Sequence, residues 1–324
     1  IVSLDQVAEP LTLVELPTPV PRPNELLVEV SVCGVCHTEL DEIEGRLEPP
    51  KLPIVLGHEI VGRVHAVGET VTRFPVGHRD GIGWIHHSCG GPMENLSSEF
   101  AATGCDLHGG YAQFMTVPEN YAATSPETLS DAEAAPLMCA GAIGYRALRL
   151  ASLLDGQALG LMGFGGSAHL VLQLAKHLYP RTPVFVFDRQ ESVQRFAIKL
   201  GADWAGGIRQ SPPQDLSAII DITPVWRPVV ESMKKLAPGG RLVINAIRKE
   251  GVDKDALLDL NYHQHLWMER EIKSVANLVH SDISEFLPLA AKIPIRPEVK
   301  LFPLQQANEA LRILREGGIK GTNV

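Results

Sequence analysis

A chain of 324 residues is long enough for two domains of ordinary size. Hydrophobic residues make up 45% and charged residues 21% of it, which is typical of a globular protein, and no apolar run approaches the roughly 18 residues of a membrane span. The formal net charge of -9, with scattered basic residues, argues against a nucleic-acid-binding or membrane-binding surface. A small-molecule partner is therefore expected.

The cysteines are five in number: Cys33, Cys36, Cys89, Cys105 and Cys139. An odd number in a long chain favours reduced thiols or metal ligands over a disulfide framework. Reduced thiols are typical of a reducing compartment, and no signal peptide is visible at the start of the sequence. We therefore expect a cytoplasmic protein.

Two different sequence patterns follow one another along the chain. The first part contains short Val-, Pro- and Gly-rich stretches such as LLVEVSVCGVC and GGYAQFMTV, which predict a β-rich domain. From about residue 141, apolar strands alternate with amphipathic helices, as in QALGLMGFGG, SAHLVLQLAKHLY and PVFVFD, which predicts βαβ units in a parallel sheet. The tail ends in LQQANEALRILREGG, a helix that we expect to stop at Gly317 and Gly318 and to pack on the first domain.

A glycine-rich turn lies between the first predicted strand and helix of the second domain. The segment GFGGSA has a G-x-G-x-x-A pattern formed by Gly163, Gly165 and Ala168, with Gly166 inside it. Such glycines permit a tight turn and the close approach of a pyrophosphate to the helix N-terminus, where free N–H groups favour an anion. A glycine triplet alone is weak evidence, because any tight turn uses the same backbone freedom. Together with the strand, the helix and a following acid, it predicts a dinucleotide site.

The acid that follows this turn is Asp188, at the end of the next predicted strand, VFVFD. A carboxylate at this position holds a ribose 2′-hydroxyl and repels a 2′-phosphate, which favours NAD over NADP. The adjacent Arg189 weakens this preference, since a guanidinium group can bind such a phosphate.

Donors suited to a metal ion recur in three short motifs: Cys36 in CGVCHTEL, His58 with Glu59 in LGHE, and Cys139 in PLMCAG. Two thiolates and an imidazole suit tetrahedral zinc and leave a fourth position for water or substrate, as in catalytic sites. Each residue alone has a plainer explanation, since lone cysteines and histidines are commonly buried packing residues. Cys33 forms a C-x-x-C pair with Cys36, but its β-rich setting does not suit a thioredoxin-like motif, and we interpret Cys33 as packing.

In the order and spacing of its motifs, the sequence resembles the zinc-dependent medium-chain alcohol dehydrogenases. The resemblance covers nearly the whole chain, through CGVCHTEL, LPIVLGHEIVGRV, GGYAQF, AEAAPLMCAGAIGYRAL, GFGGSAH, LAPGGRLV and FPLQQANEALRILREGGIKG. It implies an α/β fold with a GroES-like β-rich catalytic domain, residues 1–140 and 278–324, and a Rossmann, doubly wound dinucleotide-binding domain, residues 141–277. It also implies hydride transfer between NAD and a primary or secondary alcohol, or its aldehyde or ketone, in a homodimer or homotetramer.

The resemblance implies a metal centre. Cys36, His58 and Cys139 are similar to the ligands of the catalytic zinc, and Glu59 is similar to an acid beside the metal that exchanges with the substrate oxygen. Zinc at such a site lowers the pKa of a bound alcohol, so that hydride can pass to a nicotinamide held alongside.

The segment after Cys36 matches further family roles. Thr38 matches the hydroxyl that takes the alcohol proton, Glu39 an acid that orients the zinc-bound histidine, and His37 a residue that touches the cofactor pyrophosphate. Asp41 stands where many members place a histidine that relays the proton to solvent. We consider two roles for Asp41, a proton relay or a solvated bystander.

Many members bind a second, structural zinc through four cysteines in one lobe. Here that lobe reads HHSCGGPMENLSSEF, which keeps Cys89 and offers Ser97 where the last cysteine would fall. Other residues of ligand type nearby have unrelated spacing: His86, His87, Cys105 and His108. We therefore expect one catalytic zinc and no structural zinc.

Several alternatives stay open at this stage. A zinc-free quinone or enoyl reductase would lack the ligand set, and a polyol dehydrogenase would typically carry an acid in place of Cys139. A zinc-dependent NADP-linked aldehyde or cinnamyl-type reductase, and a non-catalytic relative that kept only the fold, are further possibilities. Trp84 and Trp267 fall in regions that resemble walls of the substrate pocket, although a buried tryptophan is commonly a core residue.

Overall fold

The computed structural model describes residues 9–293, 295, 297–316 and 322–324. The helix end expected at Gly317 and Gly318 lies outside them. The chain divides into two compact units, Ile1–Ala142 with Leu278–Val324, and Ile143–Asn277. None of the helices in the described ranges is long and apolar enough to cross a membrane.

The first unit begins with a β-rich part. Its strands are β1 (Glu25–Cys33), β2 (Ile60–Val67), β3 (Arg79–Ile82), β4 (Ile85–His87), β5 (Ala101–Ala102), β6 (Phe114–Pro118) and β7 (Ala122–Thr124). Its helices α1 (His37–Ile43) and α2 (Asp131–Ala134) are short, and single 3₁₀ turns lie at Glu94–Leu96, Glu119–Tyr121 and Ala135–Met138. Five strands form an antiparallel sheet in the order β6-β1-β2-β3-β7.

The pairing of β1 with β2 brings two distant motifs together. Both strands are rich in β-branched residues, which suit a pleated surface. Their antiparallel register places Cys33, at the end of β1, opposite Ile60, at the start of β2. The backbone continues this contact, since the Gly34 N–H donates to the Glu59 carbonyl at 2.8 Å. The residues just after β1 therefore lie beside those just before β2.

The second unit alternates strands and helices. Helix α3 (Ala140–Ala151) spans the boundary between the two units. The elements that follow it are β8 (Leu159–Met162), α4 (Ala168–Leu178), β9 (Val184–Phe187), α5 (Glu191–Lys199), β10 (Trp204–Gly206), β11 (Leu216–Asp221), α6 (Arg227–Met233), β12 (Leu236–Ile244) and β13 (Glu271–Ser274). A 3₁₀ segment at Lys254–Asp259 and a π-helical turn at Tyr262–Leu266 precede β13.

These strands form one parallel sheet in the order β10-β9-β8-β11-β12-β13. A parallel sheet is covered on both faces, which explains why β8 and β9 are buried at every position. Chain order reverses between β8 and β11, and in such sheets ligands bind outside the carboxyl ends of the strands at this switch point.

The tail returns to the first unit. It contains α7 (His280–Lys292), β14 (Val299–Lys300), a 3₁₀ turn at Leu304–Gln306, α8 (Ala307–Glu316) and β15 (Thr322–Asn323). In α8, Ala310 and Leu311 pack in one apolar cluster with Leu40 and Ile43 of α1. Asn323 makes two hydrogen bonds within the first unit. Its carbonyl accepts from the Val35 N–H at 3.0 Å, and its side-chain amide donates to the Ala310 carbonyl at 2.8 Å.

Candidate functional site

Two thiols, an imidazole and a carboxylate converge in the first unit. Each of Cys36, His58, Glu59 and Cys139 offers one ligand atom, and these atoms all lie within 4.8 Å of one another. Cys36 immediately precedes α1, the His58–Glu59 pair precedes β2, and Cys139 precedes α3. Three segments that are distant in sequence thus meet at one point, which we call the donor cluster.

Gly34 makes room for one member of the donor cluster. A methyl group placed at Gly34 would lie 2.0 Å from Glu59 Oε2 and 2.9 Å from Glu59 Cβ. The Glu59 carboxylate therefore rests directly over the Gly34 backbone. The close approach explains why the CGVC motif has a glycine at this position, since any side chain there would collide with Glu59.

Substituting Gly34→Ala should displace the Glu59 side chain. We expect kcat to fall roughly 10- to 100-fold, because a shift of about 1 Å in an active site has effects of that size. Steady-state kinetics, with zinc content measured in parallel, checks this result. Gly91→Ala is the matched control, since a methyl group there meets only Cys89 Sγ, at 3.8 Å. Equal activities of both variants would contradict the assignment.

Glu39 orients the imidazole of the donor cluster. Its Oε1 lies 2.5 Å from His58 Nδ1, and its Oε2 accepts a hydrogen bond from the Cys36 N–H at 2.7 Å. Both side chains are fully buried. Burial lowers the pKa of His58, but the Glu39 carboxylate and the Cys36 sulfur together raise it above its ordinary value. Because the Glu39 carboxylate lies against Nδ1, Nε2 is the nitrogen available to a metal.

The acidic groups of the donor cluster are buried and close together. The Cys139 thiol donates to Cys36, which holds the pKa of Cys36 low and that of Cys139 high. Burial raises the pKa of Glu59, whose Oε2 has no hydrogen-bond partner among the described residues. Buried thiolates and carboxylates are costly without a cation, and this mixture of sulfur, nitrogen and oxygen donors suits zinc. The residues therefore fit the metal that the sequence predicts.

The helix after Cys36 places two further predicted residues. Thr38 is buried, and its Oγ1 lies 3.7 Å from Cys36 Sγ. Asp41 is 3% exposed, and its Oδ1 lies 2.6 Å from Arg46 Nε. The solvated-bystander interpretation of Asp41 is therefore wrong, because this carboxylate is buried and pairs with Arg46, which follows the end of α1. His37 is exposed at the first position of α1.

Sequence reasoning missed a third buried acid in α1, Glu42. Glu42 lies one turn beyond Glu39, and burial together with the Glu39 charge raises the pKa of Glu42 to about 9. It is therefore protonated at neutral pH. Burial and the neighbouring Glu42 raise the pKa of Cys105 to about 12. The spacing of three residues in a helix was the only signal of this contact.

An aromatic pair lies beside the donor cluster. The Trp84 ring centroid is 6.3 Å from that of His58 and 5.7 Å from that of Phe100. The sequence had pointed to Trp84 but not to Phe100. Trp267 is 49% exposed and contacts Tyr262, so it is not a core residue of the second unit.

The glycine turn of the second unit is open where a ligand would lie. Gly163 follows β8 with a φ of 81°, and its N–H donates to the Phe187 carbonyl at 2.8 Å. A methyl group placed at Gly165 or Gly166 would meet nothing within 4 Å, and α4 begins at Ala168. This open cradle at a helix N-terminus fits a pyrophosphate.

Asp188 follows β9 and lies against this turn. Its Oδ2 accepts a hydrogen bond from the Phe164 N–H at 3.1 Å, and its Oδ1 accepts one from the Gln190 N–H at 2.9 Å. Arg189 is exposed next to it. The acid thus helps to hold the glycine turn as well as standing where a ribose hydroxyl is expected.

Comparison with known proteins places the chain in a family. The alcohol dehydrogenase GroES-like domain family matches residues 22–127. A Mycobacterium tuberculosis protein named "Probable alcohol dehydrogenase AdhA" is 40% identical over 326 residues, covering 97% of this chain and 92% of that protein. The chain belongs to the zinc-dependent medium-chain alcohol dehydrogenases. The family resemblance, the GroES-like domain and the Rossmann-type sheet predicted from the sequence are confirmed.

Solved structures with the same fold differ in their nucleotide. The crystal structure of an NAD-dependent alcohol dehydrogenase is 25% identical with a TM-score of 0.83, covering 96% of this chain and 94% of that one. A CAD from Helicobacter pylori complexed with NADP(H) is 22% identical with a TM-score of 0.80, covering 93% and 90%. The fold alone therefore does not distinguish NAD from NADP.

Of the other residues of ligand type in and around the shortened lobe, His86 and His87 lie together, with their Nδ1 atoms 3.4 Å apart, but among the described residues neither Cys105 nor His108 joins them as a third donor. Within the described part of the chain, the donor cluster is the one group of three or more such residues close enough to share a metal. Buried Glu94 instead joins the lobe to its surroundings, accepting hydrogen bonds from the Tyr121 hydroxyl at 3.1 Å and the His280 N–H at 2.7 Å. The number of zinc ions per chain stays a prediction.

Proposed function

We propose that this chain oxidises an alcohol, or reduces the corresponding aldehyde or ketone, with NAD as hydride carrier and one catalytic zinc per chain. Alcohol oxidoreduction with zinc and a nicotinamide nucleotide is the activity for which its family is named. The observation that carries the proposal is the donor cluster, whose four ligand atoms lie within 4.8 Å of one another. When bound, zinc supplies Lewis-acid polarisation of the substrate oxygen and the nicotinamide supplies the hydride acceptor.

In this proposal the donor cluster has divided roles. Cys36, His58 and Cys139 hold the metal, and Glu59 occupies the position that substrate oxygen can take over. Glu39 is a positioning residue, since its contact of 2.5 Å with His58 Nδ1 holds the imidazole in one orientation. The close fit of Glu59 over Gly34 restrains its carboxylate at the edge of the cluster.

Thr38 takes the proton that leaves the alcohol hydroxyl at its Oγ1 and passes its own hydroxyl proton on towards solvent. Its Oγ1, 3.7 Å from Cys36 Sγ, places a hydroxyl beside the donor cluster, as such a proton transfer requires. The onward path through Asp41 stays a prediction, and any such relay would start from a carboxylate that already binds Arg46.

The second unit binds the dinucleotide at the open glycine turn. Gly163, Gly165, Gly166 and Ala168 form the cradle for the pyrophosphate, and His37 of the first unit is a further predicted contact. Asp188 holds the ribose and gives the preference for NAD. An NADP-linked reductase of aromatic aldehydes is the second candidate, because Arg189 is exposed beside Asp188 and an aromatic pair lies beside the donor cluster.

Kinetics with both nucleotides test the NAD assignment. The unmodified enzyme should show the larger kcat/KM with NAD in alcohol oxidation. Asp188→Gly should shift the ratio of the two kcat/KM values toward NADP by at least about 10-fold, because the repelling carboxylate is gone and Arg189 can pair with the 2′-phosphate. The double variant Asp188→Gly/Arg189→Ala should lose the gain. A wild-type preference for NADP would favour the second candidate.

The predicted homo-oligomer also stays a proposal. Strand β13 is at the edge of the six-stranded sheet, and all four of its residues are exposed. Large apolar side chains nearby are exposed as well, among them Trp267 at 49% and Ile272 at 44%. A second copy of the chain would bury such an edge.

A further inference from the structure

A buried lysine joins two loops of the second unit. Lys249 lies in the loop after β12, and its Nζ is 2.5 Å from Asp221 Oδ2, 2.6 Å from the Thr223 carbonyl and 3.1 Å from the Val225 carbonyl. The Lys249 side chain is 7% exposed and that of Asp221 is fully buried. An ammonium group has three N–H donors, and these three acceptors use all of them. Lys249 is therefore not a ligand for phosphate.

The bonded loops lie at the ligand-binding end of the sheet. Asp221 is the last residue of β11, and the segment with Thr223 and Val225 follows it, whereas Lys249 follows β12. The loop after β11 packs against the glycine turn, since a methyl group placed at Gly163 would lie 2.9 Å from Thr223 Cγ2. Both loops thus flank the switch point between β8 and β11.

The network also fixes the conformation of the first loop. The Thr223 hydroxyl donates to Asp221 Oδ1 at 2.7 Å, and the Thr223 N–H donates to the same oxygen at 3.0 Å. A backbone bond of 2.6 Å from the Glu250 N–H to the Pro224 carbonyl adds a second link between the loops. Because a buried ion pair adds little net stability compared with apolar residues, its location points to a role in positioning.

We propose that Lys249 and Asp221 are positioning residues for the nicotinamide half of the dinucleotide. This inference rests on the proposed function, in which the adenosine half lies against Asp188 and the glycine turn. A dinucleotide crosses the switch point, so its other half meets the loops after β11 and β12. By joining these loops, Lys249 and Asp221 hold them in one conformation before the cofactor binds. We call the two joined loops the wall of the nicotinamide site.

Binding measurements on the zinc-loaded enzyme test the proposal. Lys249→Met should raise the Kd of NADH, measured by fluorescence titration, at least about 10-fold, because preorganisation of the wall is lost. The Kd of ADP, which contains only the adenosine half and the diphosphate, should change less than about 3-fold. Lys235→Met is the matched control, since that side chain is also 7% exposed but lies just before β12, at the opposite end of the strand. It should leave the NADH affinity unchanged.

The possible results distinguish a failure of the proposed function from a failure of the positioning role. If wild-type enzyme binds neither ADP nor NADH, the proposed function fails first. If wild-type binds both and Lys249→Met binds NADH as tightly, the positioning role is overturned, whatever its thermal stability. Equal weakening of ADP and NADH would also overturn it, since the effect would then not belong to the nicotinamide half. Should Lys249→Met fail to fold, Thr223→Val removes one hydrogen bond of the same network, and a selective loss of NADH affinity is expected for it too.

Discussion

Replacing Cys139 by serine should remove zinc and activity together while leaving the chain folded. Serine is close to cysteine in size, but its hydroxyl is a poor zinc ligand at neutral pH, and the donor cluster would keep only one sulfur. Elemental analysis should then find the metal lost, NAD-linked alcohol oxidation should fall to background, and the far-UV circular dichroism spectrum should match that of wild type. Cys89→Ser is the control, since Cys89 is an exposed thiol outside the cluster.

A Cys139→Ser enzyme with full zinc content and activity would remove Cys139 from the metal centre. An unfolded product would instead point to a structural role for the thiol. Cys36→Ser then provides the second test, because it removes the other sulfur of the same cluster from a different segment of the chain.

The second large effect is expected at Thr38. If its hydroxyl accepts the alcohol proton, Thr38→Ala should lower kcat roughly 10²- to 10⁴-fold, the usual contribution of a positioned proton-transfer group. Zinc should stay bound, since the hydroxyl is not part of the donor cluster. Thr38→Ser is the matched control and should retain most of the activity because it keeps the hydroxyl. Loss of zinc from Thr38→Ala would assign a structural role to the residue.

Local patterns were sufficient for the parts of the site formed by neighbouring residues. The glycine turn could be predicted because strand, turn and helix are contiguous, and glycine is needed at Gly163, where φ is 81°. Asp188 could be predicted because an acid at the end of the next parallel strand must lie at the same edge of the sheet.

The donor cluster could be predicted only through the resemblance to a family. Cys36, His58 and Cys139 come from three segments, and their approach depends on the register of β1 against β2, which short-range periodicity does not determine. The burial of Asp41 could not be predicted from the sequence either. Asp41 is a polar residue in a short helix, and its ion pair with Arg46 forms only after the chain turns back. The contact between Lys249 and Asp221 could not be predicted for the same reason, because it joins loops at the ends of two neighbouring strands.

Zinc removal and restoration on the purified enzyme test the central claim most directly. Wild-type protein should contain about one zinc per chain, as a single three-ligand catalytic site requires. Chelation should abolish NAD-linked oxidation of an alcohol, and stoichiometric zinc should restore it. Alcohol oxidation that persists in the zinc-free protein would contradict the account, and two zinc ions per chain would contradict the assignment of a single metal centre.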